Sequence, residues 1–444
     1  MKPGRMIVFW AITSILFSTA GLAAETRPVY TLDMLFQKAL NLSENVKLSE
    51  ESLYVAEQNK KRALSVLVPR FSAFGGYTRY SEEKFLAGIP VQPKWSSTYG
   101  LRLDQSFTLN GKELIALEMS KKAIKKERFT LNNSRETLLM GVANAYYQVL
   151  KAEKNMDIAR ANVDRLRTYK AAVQTRLKLG AVTKTDLFRA SAELSGAVSD
   201  QIQAASGVKI AEAMLARLIG ISTPIHLASP DLSRPNLPEF DLVQLKREAV
   251  RRRSDLKALE LSRAMSEDEV RFTKSAWWPE IGIEGVWARQ DASSEPFAPL
   301  RDSMWAKVSL GFSLFDGGLR RADLNQSLSR NRQATLGVSA LKKQIAVEVD
   351  SAYYNYITRR STITALTDQR VFARENYKAV TRQFEFGLAN SVDVVDANTL
   401  LVTTERQWTE AILEGYLSRL KIERATGQLL DHVQTRLKIS SSGQ

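Results

Sequence analysis

The sequence contains no cysteine. This absence excludes disulfide bonds, thiolate metal sites and a lipid attached to an N-terminal cysteine. The only two histidines, His226 and His432, lie far apart in the sequence, so each is interpreted as an ordinary surface or loop residue rather than a metal ligand. The sequence also has no phosphate-binding loop, His-bearing metal motif or nucleophile elbow. We therefore expect no catalytic residue, no metal and no cofactor, and do not expect an enzyme.

Long hydrophobic runs are also missing beyond the first 24 residues. Residues 1–24 combine Lys2 and Arg5 with an apolar run at 6–17 and small residues through Ala24, the pattern of a cleaved signal peptide. After this segment, no run approaches the roughly 20 apolar residues that a transmembrane helix needs. The remaining chain is expected either to be soluble outside the cytoplasm or to enter a membrane as β-strands.

Acidic residues are fewer than basic ones, 48 against 63, which leaves a formal net charge of +15. Such a charge suits an anionic partner such as nucleic acid or lipid headgroups. The charge is spread thinly, however, and a signal peptide argues against nucleic acid, so no nucleic-acid partner is expected. The densest basic cluster, residues 251–253, is interpreted as a solvated or interfacial helix face.

Two proline-free stretches have the pattern of very long helices. Residues 112–179 place apolar or small side chains at alternating steps of four and three, which is a heptad seam. Residues 319–386 form the corresponding stretch in the second half. At about 1.5 Å per residue, each helix would be on the order of 100 Å long, more than a single compact domain encloses. Residues 31–66 are predicted to form one shorter helix.

Four other segments change to the alternation of strands: residues 71–77, 99–107, 281–287 and 305–314. Strands of about ten residues can span an outer membrane when tilted. Four strands cannot close a barrel, and open edges are not tolerated in hydrocarbon, so several copies would have to pool their strands. The strand pattern alone leaves open the alternative of half-buried strands in a soluble sheet. Aromatic residues near the strand ends fit the girdles at a membrane interface; these are Tyr77, Tyr80, Trp95, Trp287 and Trp305.

The second half of the chain repeats the first. With an offset of 210 residues, Pro69 matches Pro279, and with an offset of 207, Gly180 matches Gly387. The order helix, strand pair, long helix, hairpin, helix therefore occurs twice. The expected segments are a signal peptide (1–24), a first repeat (25–220), a proline-rich linker (221–240), a second repeat (241–430) and a C-terminal tail (431–444).

Each repeat predicts one sharp reversal between helices. Gly180 and Gly387 stand where a residue just past a helix end takes the left-handed conformation. Asp186 and Asp393 fall in the first turn of the following helix, where a carboxylate is favourable. Ser391 is predicted to be the N-cap of the second of these helices. The chain therefore makes the same hairpin twice.

Together these features resemble the TolC family of outer-membrane efflux channels, over the whole chain after residue 24. The resemblance rests on the duplication, on Pro69 and Pro279 before the first strand of each pair, on the Leu-Phe-Asp-Gly-Gly run at 314–318, and on the two Gly-x(5)-Asp hairpins. It implies a mainly α fold with a membrane β-barrel part. Three chains with four strands each would form a 12-stranded barrel in the outer membrane, in contact with its lipid, and a long α-helical coiled-coil barrel would extend into the periplasm.

The resemblance also implies roles for the hairpin tips. Asp393 and Asp396 would ring the pore constriction, whereas an alternative interpretation makes Asp393 only a helix-dipole partner and Asp396 a surface charge. Phe384 stands where relatives often have tyrosine, and Ala389 where some carry a basic residue that locks the closed state. The tip residues that would contact an adaptor are Gly180, Thr185, Asp186, Gly387 and Ser391.

The implied function is a passive exit duct of a tripartite efflux or type I secretion system. Such a homotrimer would dock with a periplasmic adaptor protein and an inner-membrane pump of the RND or ABC type. A secreted coiled-coil scaffold or binding protein without a pore is the alternative, and it would partition as a soluble or peripheral protein. A third candidate, an extracytoplasmic nucleic-acid or polysaccharide binder, should show salt-dependent polyanion binding and ranks low.

Overall fold

The computed structural model describes residues 29–221, 225–233, 235–294 and 301–442. The predicted signal peptide lies outside the described residues, as does part of the loop between the strands of the second repeat. None of the helices in these ranges is both long and apolar enough to cross a membrane.

Helices make up most of the described chain. They are α1 (Leu32–Leu42), α2 (Glu44–Ser65), α3 (Lys112–Lys178), α4 (Lys184–Ile219), α5 (Leu242–Arg252), α6 (Ser254–Lys274), α7 (Leu319–Glu385), α8 (Ser391–Ala425) and α9 (Leu429–Ser442). A 3-10 turn at Ser275–Trp277 follows α6. With 67 residues each, α3 and α7 confirm the two long helices that the proline-free stretches predicted, and each is about 100 Å long.

The predicted single helix at 31–66 is divided into α1 and α2. Ser43 has extended dihedral angles of φ −61° and ψ 123°, which end α1 and begin α2. Its backbone N–H still donates to Ala39 O. The apolar spacing continues through the break, so periodicity alone did not reveal it.

The described part of the chain contains eight strands. They are β1 (Val29–Tyr30), β2 (Arg70–Arg79), β3 (Lys84–Leu86), β4 (Ile89–Gln92), β5 (Trp95–Thr108), β6 (His226–Leu227), β7 (Glu280–Ala292) and β8 (Asp302–Gly311). The main sheet is antiparallel with the order β2-β5-β7-β8. The two predicted strand pairs therefore join through β5 and β7, where Leu101 lies opposite Trp287. Among the described residues, β2 and β8 have no partner on their outer edges.

No second layer from the described residues covers β8 of the main sheet. Every residue of β8 is exposed, and Met304 and Val308 are 86% and 74% exposed. A soluble antiparallel sheet must pack at least one face on a core. The alternative of half-buried strands in a soluble sheet is therefore wrong for β8.

The long helices pack as two antiparallel hairpins, α3 with α4 and α7 with α8. Much of the predicted heptad seam is buried, including Val142, Val149 and Val163. The linker between the repeats is held against each long helix by a tyrosine. The hydroxyl of Tyr146 on α3 donates to Ala228 O, and that of Tyr356 on α7 donates to Pro238 O.

The interpretation of residues 251–253 as a solvated face is wrong for Arg253. Its side chain is buried and donates to Asp255 and Glu348. The kink between α5 and α6 turns it inward, where Gly427 approaches so closely that a Cβ there would lie 2.9 Å from Arg253 backbone atoms. The predicted C-terminal tail is largely helical as α9, whose Val433 is buried in the same core as α1 and α3.

Candidate functional site at the hairpin tips

The two hairpins reverse through the same backbone geometry. Gly180 has φ 74° and Gly387 has φ 78°, values that L residues with a Cβ rarely adopt. In the first hairpin, Ala181 N donates to Arg176 O at 2.9 Å; in the second, Leu388 N donates to Gln383 O at 2.8 Å. These bonds satisfy carbonyls at the helix ends. The structure confirms both predicted glycine reversals.

Each returning helix begins with a reciprocal capping box. Thr183 and Asp186 exchange hydrogen bonds at the start of α4. Asn390 and Asp393 do the same at the start of α8, where Asn390 Oδ1 accepts from Asp393 N at 3.0 Å and Asp393 Oδ2 accepts from Asn390 N at 2.9 Å. The prediction that Ser391 is the N-cap is therefore wrong. The cap is Asn390, three residues after its glycine, just as Thr183 follows Gly180.

Ser391 instead connects the two hairpins. It is 2% exposed, and its hydroxyl lies 2.5 Å from the Tyr169 hydroxyl on α3. Burial raises the pKa of Tyr169 above its usual value. Hydrogen bonds from Thr183 hold the pKa of Asp186 below its usual value, and the Ser391 hydroxyl contributes further in the same direction. The buried position also rules out Ser391 as an exposed adaptor contact.

A second connection links Arg176 to the end of α7. Its guanidinium donates to Phe384 O and lies 4.7 Å from the Phe384 ring centroid. The same ring is 5.4 Å from the ring of Tyr169. A cation is favourable at a helix C-terminus, where carbonyls lack helical partners. The sequence analysis noted Phe384 only as a departure from tyrosine, and it did not predict these contacts because they join positions that are distant in the sequence.

The two second-tip carboxylates, Asp393 and Asp396, are exposed and lie three residues apart on one side of α8. Neither forms an ion pair with a lysine or arginine in the part of the chain that the structure describes. Asp393 has one oxygen engaged in the capping box, whereas Asp396 is free of the cap. The arrangement leaves both charges available to a solvent-filled space, and their place in a pore constriction stays a prediction.

Large apolar side chains surround the tips and are exposed. Leu179, Phe386 and Leu388 are 77%, 78% and 80% exposed. Thr185 is also exposed and Asp186 half-buried. Exposed apolar patches on a folded protein often mark interaction sites. The sequence signal for these residues was their position next to each tip glycine.

Of the predicted interface aromatics, Tyr77 and Trp95 lie at the loop end of the main sheet, whereas Trp287, opposite Leu101, and Trp305, opposite Val286, lie farther from that end, toward the middle of the sheet. The rings of Tyr77 and Trp95 stack at 6.1 Å, and Trp287 and Trp305 lie on the neighbouring strands β7 and β8. At the opposite end, Trp278 is exposed beside Pro279. The sequence interpretation did not include it, although an aromatic next to a proline that enters a strand could have indicated it. The role of these rings at a membrane interface stays a prediction.

Comparison with known proteins places these features in a family. The family model described as "Outer membrane efflux protein" matches residues 35–221 and 245–428. The chain is 23% identical to the outer membrane protein TolC of Escherichia coli over 412 residues, 90% of this chain and 82% of that protein. It is also 23% identical to the pyoverdine export outer membrane protein OpmQ of Pseudomonas aeruginosa, over 88% of this chain and 82% of that protein. The solved CmeC outer membrane channel of Campylobacter jejuni superposes with a TM-score of 0.80 at 15% identity, covering 96% of this chain and 94% of that one.

Proposed function

Because the chain belongs to the outer membrane efflux protein family, we propose that it forms the passive exit duct of a tripartite efflux or type I secretion system. It is an outer-membrane protein whose helical part lies in the periplasm. The observation that carries the proposal is the junction of an uncovered four-stranded sheet with two helical hairpins, each built on a helix about 100 Å long. The proposal gives the chain no catalytic role.

The open edges of the sheet support a trimer. In hydrocarbon, each unpaired backbone group costs several kcal/mol, so β2 and β8 need partners. Copies of the same chain can supply them if β8 of one pairs with β2 of the next. Three copies would give a closed barrel of 12 strands, and their hairpins would continue it as a helical tunnel. The exposed faces of β2 and β8 agree with strands that contact lipid on one side.

The tips would form the periplasmic entrance. In a trimer, Asp393 and Asp396 would present six carboxylates, which favour cations at a narrow passage. The exposed Leu179 and Leu388 would be covered by a periplasmic adaptor, which links the duct to an inner-membrane pump of the RND or ABC type. Gly180, Thr185 and Gly387 are also exposed at the two tips.

Two measurements on the detergent-extracted protein test the duct. Native mass spectrometry should find a trimer, and planar bilayers should show stable channels. A protein that partitions into buffer as a monomer without conductance would support the coiled-coil scaffold instead.

The adaptor contact has its own test in intact cells. A photo-crosslinking residue at Leu388 should capture a periplasmic adaptor. The control position is Leu336, which is 69% exposed on α7 away from the tip. Equal capture at both positions, or none at Leu388, would remove the tips from the docking surface.

A further inference from the structure

A cleft of about 460 Å³ lies between the two hairpins, on the tip side of the level where the linker is held. Its walls come from α3, α7 and α8, and Leu232 of the linker also lines it. Ligand sites in proteins typically have volumes of about 300–1,000 Å³ and mixed polar and apolar walls. The cleft falls in that range and lies well away from the tip carboxylates.

Two arginines in this cleft have buried nitrogen atoms without an acceptor. Arg165 on α3 donates from Nε to Asn398 Oδ1 at 3.1 Å, but its Nη2 is buried and has no hydrogen-bond partner among the described residues. Arg370 on α7 lies 3.8 Å from the ring centroid of Trp408, and its Nε is likewise buried without a partner. Buried polar atoms are nearly always satisfied, so an orphaned donor needs an explanation. Here two charged donors from different hairpins share one cleft.

The surrounding charges do not neutralise these two arginines. Arg374 forms an ion pair with Glu405 at 2.8 Å, and Lys154 pairs with Asp157 at 3.3 Å. Within the described residues, Arg165 and Arg370 form no ion pair. Burial and the neighbouring charge of Arg374 lower the pKa of the Arg370 guanidinium from its usual value. The cleft therefore keeps an excess of positive charge.

The apolar side chains that line the cleft limit the kind of anion that it can bind. Ile158, Ala161 and Leu232 border the cleft beside the guanidinium groups. A fully hydrated inorganic ion would leave this apolar surface uncovered. A carboxylate carried on a small apolar body would cover the surface and accept from the arginines, because guanidinium donors match carboxylate geometry.

We propose that the cleft binds a small organic carboxylate, with Arg165 and Arg370 as its anion-binding residues. The bound anion connects the two hairpins because Arg165 belongs to α3 and Arg370 to α7. Such a ligand strengthens the contact of one hairpin with the other, at a level that lies between the linker and the tips. This site is independent of the proposed duct and of the tip carboxylates.

The test is a calorimetric titration of the full-length, detergent-extracted protein with benzoate, with ionic strength held constant by chloride. Saturable binding is expected, with a matching change in Trp408 fluorescence that Trp408→Phe removes. Arg165→Gln and Arg370→Gln should each weaken binding by about tenfold or more, since each removes a charge-assisted contact. The control is Arg167→Gln, an exposed arginine on α3 outside the cleft, which should bind benzoate as the parent does.

Each remaining outcome contradicts the proposal. Absence of saturable benzoate binding would show that the cleft is no anion site. Equal binding of benzyl alcohol would show an apolar cleft without anion selectivity. Unchanged affinity in folded Arg165→Gln and Arg370→Gln proteins, with folding checked by thermal unfolding, would place any benzoate site elsewhere.

Discussion

The hydroxyl groups of Tyr169 and Ser391 lie 2.5 Å apart between the two hairpins. Tyr169 is near the end of α3, and Ser391 is the first residue of α8. Both residues are buried, so the pair is shielded from water and connects the shaft of one hairpin to the tip of the other. The contact of Arg176 with Phe384 joins the same two tips, and both contacts lie against a buried apolar cluster from the two hairpins.

Tyr169→Phe should loosen the second tip. The substitution removes the hydroxyl that bonds to both the side chain and the carbonyl oxygen of Ser391, and losing such buried bonds costs about 1–3 kcal/mol. We expect a fall of that size in the free energy of unfolding and faster amide exchange across residues 387–396, measured by hydrogen-exchange mass spectrometry. The control is Tyr377→Phe, whose hydroxyl lies in the same region on α7. If both variants exchange alike, the Tyr169 hydroxyl does not hold the tip.

The tip backbone was largely predictable because it depends on local rules. Glycine past a helix end, and a carboxylate in the next turn, are signals within a few residues of each other. The sequence analysis placed the N-cap one residue too late, at Ser391, and the first repeat shows the correct spacing. Thr183 caps the first hairpin three residues after Gly180, and the same spacing from Gly387 selects Asn390.

The contacts between the hairpins were not predictable in the same way. Tyr169 and Ser391 are separated by 222 positions, and each has an ordinary local context in its helix. Their meeting depends on how two rods of 67 residues are aligned along their length. That alignment comes from packing along the whole hairpin, so no short pattern in the sequence specifies it. The exposure of both faces of β8 likewise depends on what surrounds the sheet. The alternation of apolar and polar residues along the strand does not specify it.

Asp396→Asn should reduce the cation preference of the channel. Under the proposed function, the substitution removes three of six carboxylates from the entrance without touching the capping box, which uses Asp393. We expect the cation-to-anion permeability ratio in planar bilayers to fall by a factor on the order of two. The ratio should fall further in the double variant that also carries Asp393→Asn. The control is Asp368→Asn, a carboxylate on α7 well before the tip. An unchanged ratio in the double variant would place both residues outside the constriction.

Gln148→Pro should break α3 near its middle. Gln148 is exposed, so the substitution tests the backbone rather than the core. Proline removes one helical hydrogen bond and clashes with the preceding turn, which costs about 3 kcal/mol or more. We expect a lower unfolding temperature by circular dichroism and a lower trimer yield. Gln148→Ala controls for loss of the side chain, and a proline variant as stable as the alanine variant would contradict a continuous α3.

Glu136 on α3 is a buried carboxyl group that should make the stability of the protein depend on pH. It is 2% exposed, and Arg424 Nη1 lies 3.1 Å from its Oε2. Burial raises the pKa of Glu136 from 4.5 to about 7, against the opposing charge of Arg424. A raised pKa means that the folded protein holds a proton that the unfolded chain has already released. The free energy of unfolding should therefore fall as pH rises from 4.5 to about 7 and change little above it.

Glu136→Gln should remove this part of the pH dependence. The shift corresponds to about 3 kcal/mol at most, so the variant should gain up to that amount relative to the parent above pH 7 and show no gain below pH 4.5. Urea unfolding of the parent and variant across this range gives the difference directly, which cancels the other titrating groups. The control is Glu127→Gln, a half-buried carboxylate on the same helix that pairs with Lys126. The contradicting result is a free energy of unfolding that differs from that of the parent by the same amount in both variants at every pH. Glu136 would then be ionised throughout this range, and its ion pair with Arg424 would outweigh the effect of burial.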